Sequence, residues 1–225
     1  MFALFIVLFI VYVWYFQFYR LKVPITMFTD NIINNNLLKT GDMILFKAFN
    51  NYNSIFTANY FGHIGIIYID PDDKKQIPML FEANGIEGTP LMDHHSKKGI
   101  YVTPVRERIK KYKGMCFWKP LNKEISGEKI LEFKSFINYA LDNMEYNHKI
   151  FSDALIKGLG LEKCTKKTNC AQLAFLSLIK LDLLPVDYYH EKSFHHLKWM
   201  SNIKELKNGY KYLDLIEIIE HPFAE

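Results

Sequence analysis

Three residues of this 225-residue chain have types and settings suited to acyl transfer: Cys170, His63 and Glu82. Cys170 stands just before an apolar run, AQLAFLSLIKL (171–181), that reads as a buried helix. Thr168 or Asn169 makes a good N-cap for it. The dipole and unpaired N–H groups of a helix start stabilise a thiolate, and the same groups stabilise an oxyanion. A thiol nucleophile also needs a base. His63 opens the run HIGIIYI (63–69), and Glu82 lies near the end of the run IPMLFEA (77–83). The stretch DPDDKKQ between them is a turn signal, so the two runs read as a β-hairpin. With the turn centred between Asp72 and Asp73, His63 directly opposes Glu82. Opposed residues share a sheet face, with Cβ atoms about 4.5–5.5 Å apart. A carboxylate there would hold the imidazole in one tautomer. Taken singly, each residue has an ordinary reading: a buried cysteine, a strand histidine satisfied locally, a solvated strand-end charge.

Other candidates are weaker. His94–His95 and His195–His196 lie in polar stretches, and adjacent histidines rarely ligate one metal together. Cys164 and Cys170 have five residues between them, which is not a zinc-ligand spacing. No metal and no cofactor are expected. Cys116 alternates with apolar neighbours and reads as core. The segment Lys163–Lys167 (KCTKK) is basic and precedes Cys170, as a solvated loop or as a contact for an anionic head group. Neither a phosphate-cradling Gly-rich loop nor a GxSxG elbow occurs.

The elements that must position these residues are short. Residues 37–46 (LLKTGDMILF) show a Gly-Asp turn and then a strand. The stretch FNNYNSIFTANYF reads as a loop with a helical turn. Further strands are expected at Gly99–Pro104 and Gly114–Trp118. Glu128–Met144 has helical spacing on one face through Ile130, Phe133, Ile137 and Met144. The segment after Pro185 is amphipathic. No internal repeat is visible. The sum is one α+β domain, antiparallel strands with a buried helix, over residues 37–225.

Composition narrows the function classes. Hydrophobic residues make up 49% and charged residues 23%, ordinary for a globular chain. Three cysteines do not build a disulfide framework. The net charge of +4 is too small to argue for nucleic acid as a partner. The start of the chain, MFALFIVLFIVYVWYF, is apolar or aromatic throughout. At about 1.5 Å per residue, residues 1–19 are just long enough for a bilayer core about 30 Å thick. Trp14, Tyr15 and Tyr19 fall where an interfacial belt would lie. No cation precedes the run and no A-x-A-like site follows it, so it reads as a retained transmembrane anchor rather than a cleaved signal. Arg20 and Lys22 on its C-terminal side put the domain on the cytoplasmic side. Residues 20–36, with Pro and Asn, read as a linker.

The order LKTGDMILF, FGHIGIIY, LFEANGIEGTPL, TNCAQLAF resembles the permuted papain-like hydrolases of the NlpC superfamily, in the YiiX/YaeF-like branch that includes poxviral members. That branch has an L-x-x-G-D strand, a [ST]-H-[VI]-G-[IVL] strand, a Y/F-E-A strand and a late [YN]-C-[SA]-[EQ]-L helix start. Leu38–Asp42, His63–Ile66, Phe81–Ala83 and Asn169–Leu173 match these blocks in order, and Met144–Asn147 resembles the Gly-x-x-Tyr-Asp segment. Phe61-Gly62, Asn147 and Gln172 depart from the usual pattern. The resemblance covers roughly residues 37–185. It implies a permuted papain-like fold, with Cys170 as nucleophile, His63 as base and Glu82 as the orienting residue. It also implies cleavage of an amide or ester through an acyl-thioester, in a peptide or a lipid. The alternative is a catalytically silent peptide- or lipid-binding module of the same fold. The Asn/Ile/Lys-rich composition would suit an AT-rich genome such as that of a large DNA virus.

Overall fold

Short apolar runs separated by turn residues become strands, and the apolar run with a capped start becomes a buried helix. The computed structural model describes residues 6–9, 11–12, 21, 23–48, 60–84, 99–146, 167–186 and 197–220. In chain order the elements are β1 (Ile25–Phe28), α1 (Thr29–Asn34), β2 (Met43–Ala48), β3 (His63–Ile69), β4 (Pro78–Ala83), β5 (Ile100–Pro104) and α2 (Val105–Lys110). Then come β6 (Gly114–Lys119), α3 (Gly127–Asn143), β7 (Glu145–Tyr146), β8 (Lys167–Thr168), α4 (Cys170–Lys180), α5 (Leu197–Asn202) and β9 (Ile216–Ile219).

Seven strands form one sheet in the order β1-β9-β6-β2-β3-β4-β5. The fold is α+β, a sheet packed on helices. Neighbouring strands are antiparallel except β1 and β9, which run parallel at one edge. One sheet face packs Leu45, Ile64, Ile66 and Phe81 against Phe133 of α3 and Leu173 of α4. The other packs Ile44, Phe46, Ile67 and Leu80 against Val105 and Ile109 of α2. Because both faces are covered, the central strands are apolar at nearly every position instead of alternating.

The Gly-Asp turn before β2 is a structural joint. Gly41 has φ +94°, and a Cβ there would come within 2.7 Å of Ile125 Cδ1. The next residue, Asp42, is fully buried. Its carboxylate accepts bonds from Lys39 N–H (2.9 Å), Trp118 Nε1–H (2.8 Å) and Leu121 N–H (2.7 Å). Burial pushes this carboxyl up to about 6, against the pull of those donors.

Two expectations need correction. Residues 20–36 are not merely a linker. Ile25–Phe28 pairs in parallel with Ile216–Ile219, and Ile32 of α1 is buried. The partner strand lies near the other end of the chain, so local composition carries no sign of it. The hairpin register also differs. Ile66 opposes Phe81 and Ile69 opposes Pro78, which centres the loop between Asp73 and Lys74. Two successive turns fill it, closed by Asp73 N–H to Asp70 O and Gln76 N–H to Asp73 O, with Gln76 at φ +50°.

Among the described residues, no helix is long and apolar enough to cross a membrane. Of the apolar N-terminal run only residues 6–9 and 11–12 are described; they are helical, and Ile6, Val7, Leu8, Phe9 and Val11 are exposed. His94, His95, Cys164, His195 and His196 lie outside the described residues.

Candidate active site

Each of the three sequence candidates is set by its own element. Cys170 is the first residue of α4. Asn169 caps that helix: its side chain accepts from Gln172 N–H at 2.9 Å, while Gln172 Oε1 accepts from Asn169 N–H at 3.2 Å. This reciprocal capping box satisfies two backbone donors that a helix start otherwise leaves unpaired. Glutamine performs the role that glutamate more often takes. Cys170 is partly exposed and free of any disulfide.

His63 opens β3 opposite Phe46. The two rings lie 5.4 Å apart between centroids. Continuing the β3–β4 register puts Glu82 opposite Gly65, two residues from His63 and on the same face. The diagonal reach suffices. His63 Nε2 lies 2.5 Å from Glu82 Oε2, with the histidine side chain 15% exposed and the glutamate side chain fully buried. The Cys170 side chain lies close enough to His63 to favour the charged form of its imidazole. Cys170, His63 and Glu82 therefore lie together in one cluster, with the His63–Glu82 hydrogen bond at its centre.

The contact forms at the end of the sheet. His63 and Glu82 belong by register to the face covered by α2. Cys170 packs against the core of the opposite face. They meet because β3 starts where α4 starts.

One residue of the site escaped the sequence reading. Arg108 of α2 is buried. Its Nε donates to Glu82 Oε1 at 2.6 Å and its Nη2 to Oε2 at 3.3 Å. The guanidinium carbon lies 4.6 Å from the Phe46 ring centroid and 5.3 Å from that of Tyr112. The pattern Val105, Arg108, Ile109 held a signal: an arginine on the apolar i, i+3, i+4 stripe of a short helix.

Charge states follow from these contacts. Burial opposes charge on His63, but the Glu82 carboxylate and the Cys170 contact outweigh it and raise the imidazole to about 9. Burial likewise works against the Glu82 carboxylate, yet His63 and then Arg108 hold it below the usual range. Both directions favour an imidazolium–carboxylate pair. Cys116, by contrast, is buried in apolar surroundings, and burial pushes its thiol up to about 12; it is core. Among the described residues no group of three or more His, Cys, Asp or Glu side chains is placed to hold a metal ion.

No family model matches the chain, and no curated protein matches it. Among solved structures it is similar to the metalloprotein YiiX from Escherichia coli O157:H7, with a TM-score of 0.42 and 16% identity. The match takes in 62% of this chain and 64% of that one, so the chain spans about two thirds of the YiiX length. This is a likeness of part of the fold, and no residue role rests on it.

Proposed function

We propose that this chain is a cysteine hydrolase of permuted papain-like fold, with Cys170 as nucleophile, His63 as base and Glu82 as its orienting partner. The observation that carries the reading is the clustering of Cys170 with the hydrogen-bonded His63–Glu82 pair at the start of α4. With Nε2 engaged by Glu82, Nδ1 is the nitrogen left to exchange a proton with Cys170 Sγ.

The chemistry follows the triad logic. Cys170 Sγ bonds to the carbonyl carbon of an amide or ester, and the carbonyl π pair moves onto oxygen. The Cys170 N–H, in the first turn of α4, stabilises that oxyanion. Collapse expels the amine or alkoxide, which takes its proton from His63 and leaves an acyl-thioester. Water, deprotonated by His63, then attacks the thioester. The carboxylic acid leaves and the thiol is restored. The order of residues along the chain and the four matching sequence blocks support the fold assignment. The apolar run 1–19 supports a membrane anchor, with the domain on the cytoplasmic side and a peptide or lipid substrate close to the bilayer.

The test is site-resolved labelling of the intact protein with an electrophilic thiol probe at neutral pH, read by peptide mass spectrometry. Cys170 should react at least ten-fold faster in the unaltered protein than in His63→Ala, with buried Cys116 as the unreactive control. Turnover of peptide or lipid esters should vanish in Cys170→Ser. If Cys170 reacts at the same rate in the unaltered protein and in His63→Ala, the hydrolase reading fails and the silent binding module takes its place.

A further inference from the structure

Arg106 and Arg108 lie two residues apart on α2 and have different surroundings. Arg106 is exposed and pairs with Asp30, also exposed, and with Asn34. Such a surface pair contributes little. Arg108 points inward, and its side chain is 6% exposed against a Glu82 side chain at 0%. A buried cation is retained only where its partner satisfies it, because desolvating it is otherwise severe.

The partner here is the carboxylate that touches His63. Glu82 Oε1 takes the bond from Arg108 Nε. Glu82 Oε2 is shared by Arg108 Nη2 and His63 Nε2. A guanidinium fork fixes the plane of a carboxylate in a way that an ammonium does not. The Phe46 ring contacts both His63 and the guanidinium, so the three side chains are packed as a unit.

We infer that Arg108 is a positioning residue of the candidate active site: its guanidinium keeps Glu82 ionised in a dry setting and turns Oε2 towards His63. The inference rests on the hydrolase reading for its catalytic meaning, while the Arg108–Glu82–His63 coupling stands apart from turnover. The groups that face this pair are His63 of β3, Tyr101 of β5 (opposite Glu82 in register), Arg108 of α2, Tyr112 just after α2, Cys116 of β6 and Cys170 of α4. Of these, Arg108 is the permanent cation. Its removal therefore leaves a buried carboxyl whose ionisation depends on His63 alone. That carboxyl will take up a proton at higher pH, and His63 will lose its counter-charge with it.

The experiment follows the His63 ring Cε1–H by NMR across pH in the full chain, with His63→Gln assigning the signal. In the unaltered protein, the acid-side inflection that reports Glu82 should lie below the ordinary carboxylate range. In Arg108→Gln it should rise by at least one pH unit. Arg108→Lys should hold the inflection near its original place, because the charge is kept. The same variant should slow probe labelling of Cys170 about ten-fold, because the fork is lost. A merely structural arginine would lower thermal stability and leave the inflection and the labelling rate per folded molecule unchanged; that result overturns the inference. If Arg108→Gln does not fold, Arg108→Lys decides, and a labelling rate equal to the unaltered protein overturns it. If the inflection moves as expected while His63→Ala leaves Cys170 labelling untouched, the hydrolase reading fails and the Arg108 coupling stands.

Discussion

His63 and Glu82 meet diagonally across β3 and β4, two residues out of direct opposition, with Nε2 and Oε2 2.5 Å apart. A shift of two residues preserves the sheet face, whereas a shift of one would have carried Glu82 to the α3/α4 side. Gly65, which lies between them on that face, presents no side chain, and a Cβ there would come within 2.7 Å of Leu80. The small residue and the even shift together bring the carboxylate to the imidazole.

Glu82→Gln keeps the size of the side chain and removes its charge. Arg108 is then buried beside a neutral amide, and His63 loses its counter-ion. Breaking one side of a buried ion pair costs about 3–5 kcal/mol, so chemical denaturation should show a loss of that order. Hydrolysis of a cleavable substrate should fall by about 10²–10⁴-fold, the usual contribution of general acid–base catalysis.

Stability should depend on pH through the His63–Glu82 pair. The imidazole is raised from 6.5 to about 9 in the folded protein. Its contribution is fully present below pH 6.5 and is lost as pH rises through about 9. The Glu82 carboxyl is lowered from 4.5, so its contribution is present above pH 4.5 and is lost as pH falls through the depressed value. The difference in Tm between the unaltered protein and His63→Ala should be steady from about pH 5 to 6.5 and shrink towards pH 9. Burial moves Lys119 down to about 7 and Asp42 up to about 6, but both titrate in both proteins and cancel in the difference. A difference that grows towards pH 9 would contradict the assignment.

Asp42→Asn places an amide where three N–H donors converge. The amide NH₂ meets at least one of them head-on, leaving a buried donor unsatisfied at about 1–3 kcal/mol. Thermal melting should show this loss. The effect on Cys170 labelling per folded molecule should be small, because Asp42 organises the β2–β6 end of the sheet and does not touch the site.

Asn169→Ala removes the cap of α4 and should lower stability by about 1 kcal/mol. Because the cap also sets the position of Cys170, labelling should slow at the same time. Gln172→Glu retains the box and adds an anion at the helix start, where the dipole favours it, so stability should hold or rise slightly. Paired denaturation and labelling runs check both variants.

The segment after the apolar run is tied to the residues that lead into β3. Leu21 N–H donates to Tyr60 Oη at 2.8 Å, three residues before His63, and Leu21 and Val23 pack against the core. If residues 1–19 anchor the chain, the full protein should stay with vesicles through an alkaline carbonate wash, and a chain beginning at Arg20 should be released. Release of both proteins would remove the anchor from the reading.

Much of this site was legible locally. Apolar runs bounded by turn residues mark β3, β4 and α4, because burial and backbone hydrogen bonding act over a few residues. The cap of α4 is readable from Asn169 and Gln172, which bond to each other three residues apart. The face shared by His63 and Glu82 follows from parity alone, so the reading survived an error of two in register. The error arose because the loop holds two successive turns, a detail of backbone geometry that composition does not carry.

What the sequence by itself determined is therefore the central strands β2 to β6, the helix α3, the buried helix α4 with a cysteine at its start, and a histidine and glutamate on one strand face. What only the tertiary structure decided is everything that joins distant segments. The β1–β9 pairing links residues about 190 positions apart, and the approach of α4 to the start of β3 links Cys170 to His63 around the end of the sheet. The inward turn of Arg108 onto Glu82 depends on α2 folding back over β4. The physical reason is the same in each case: such contacts are selected by the packing of whole faces against one another, and that selection appears only when all the faces are present.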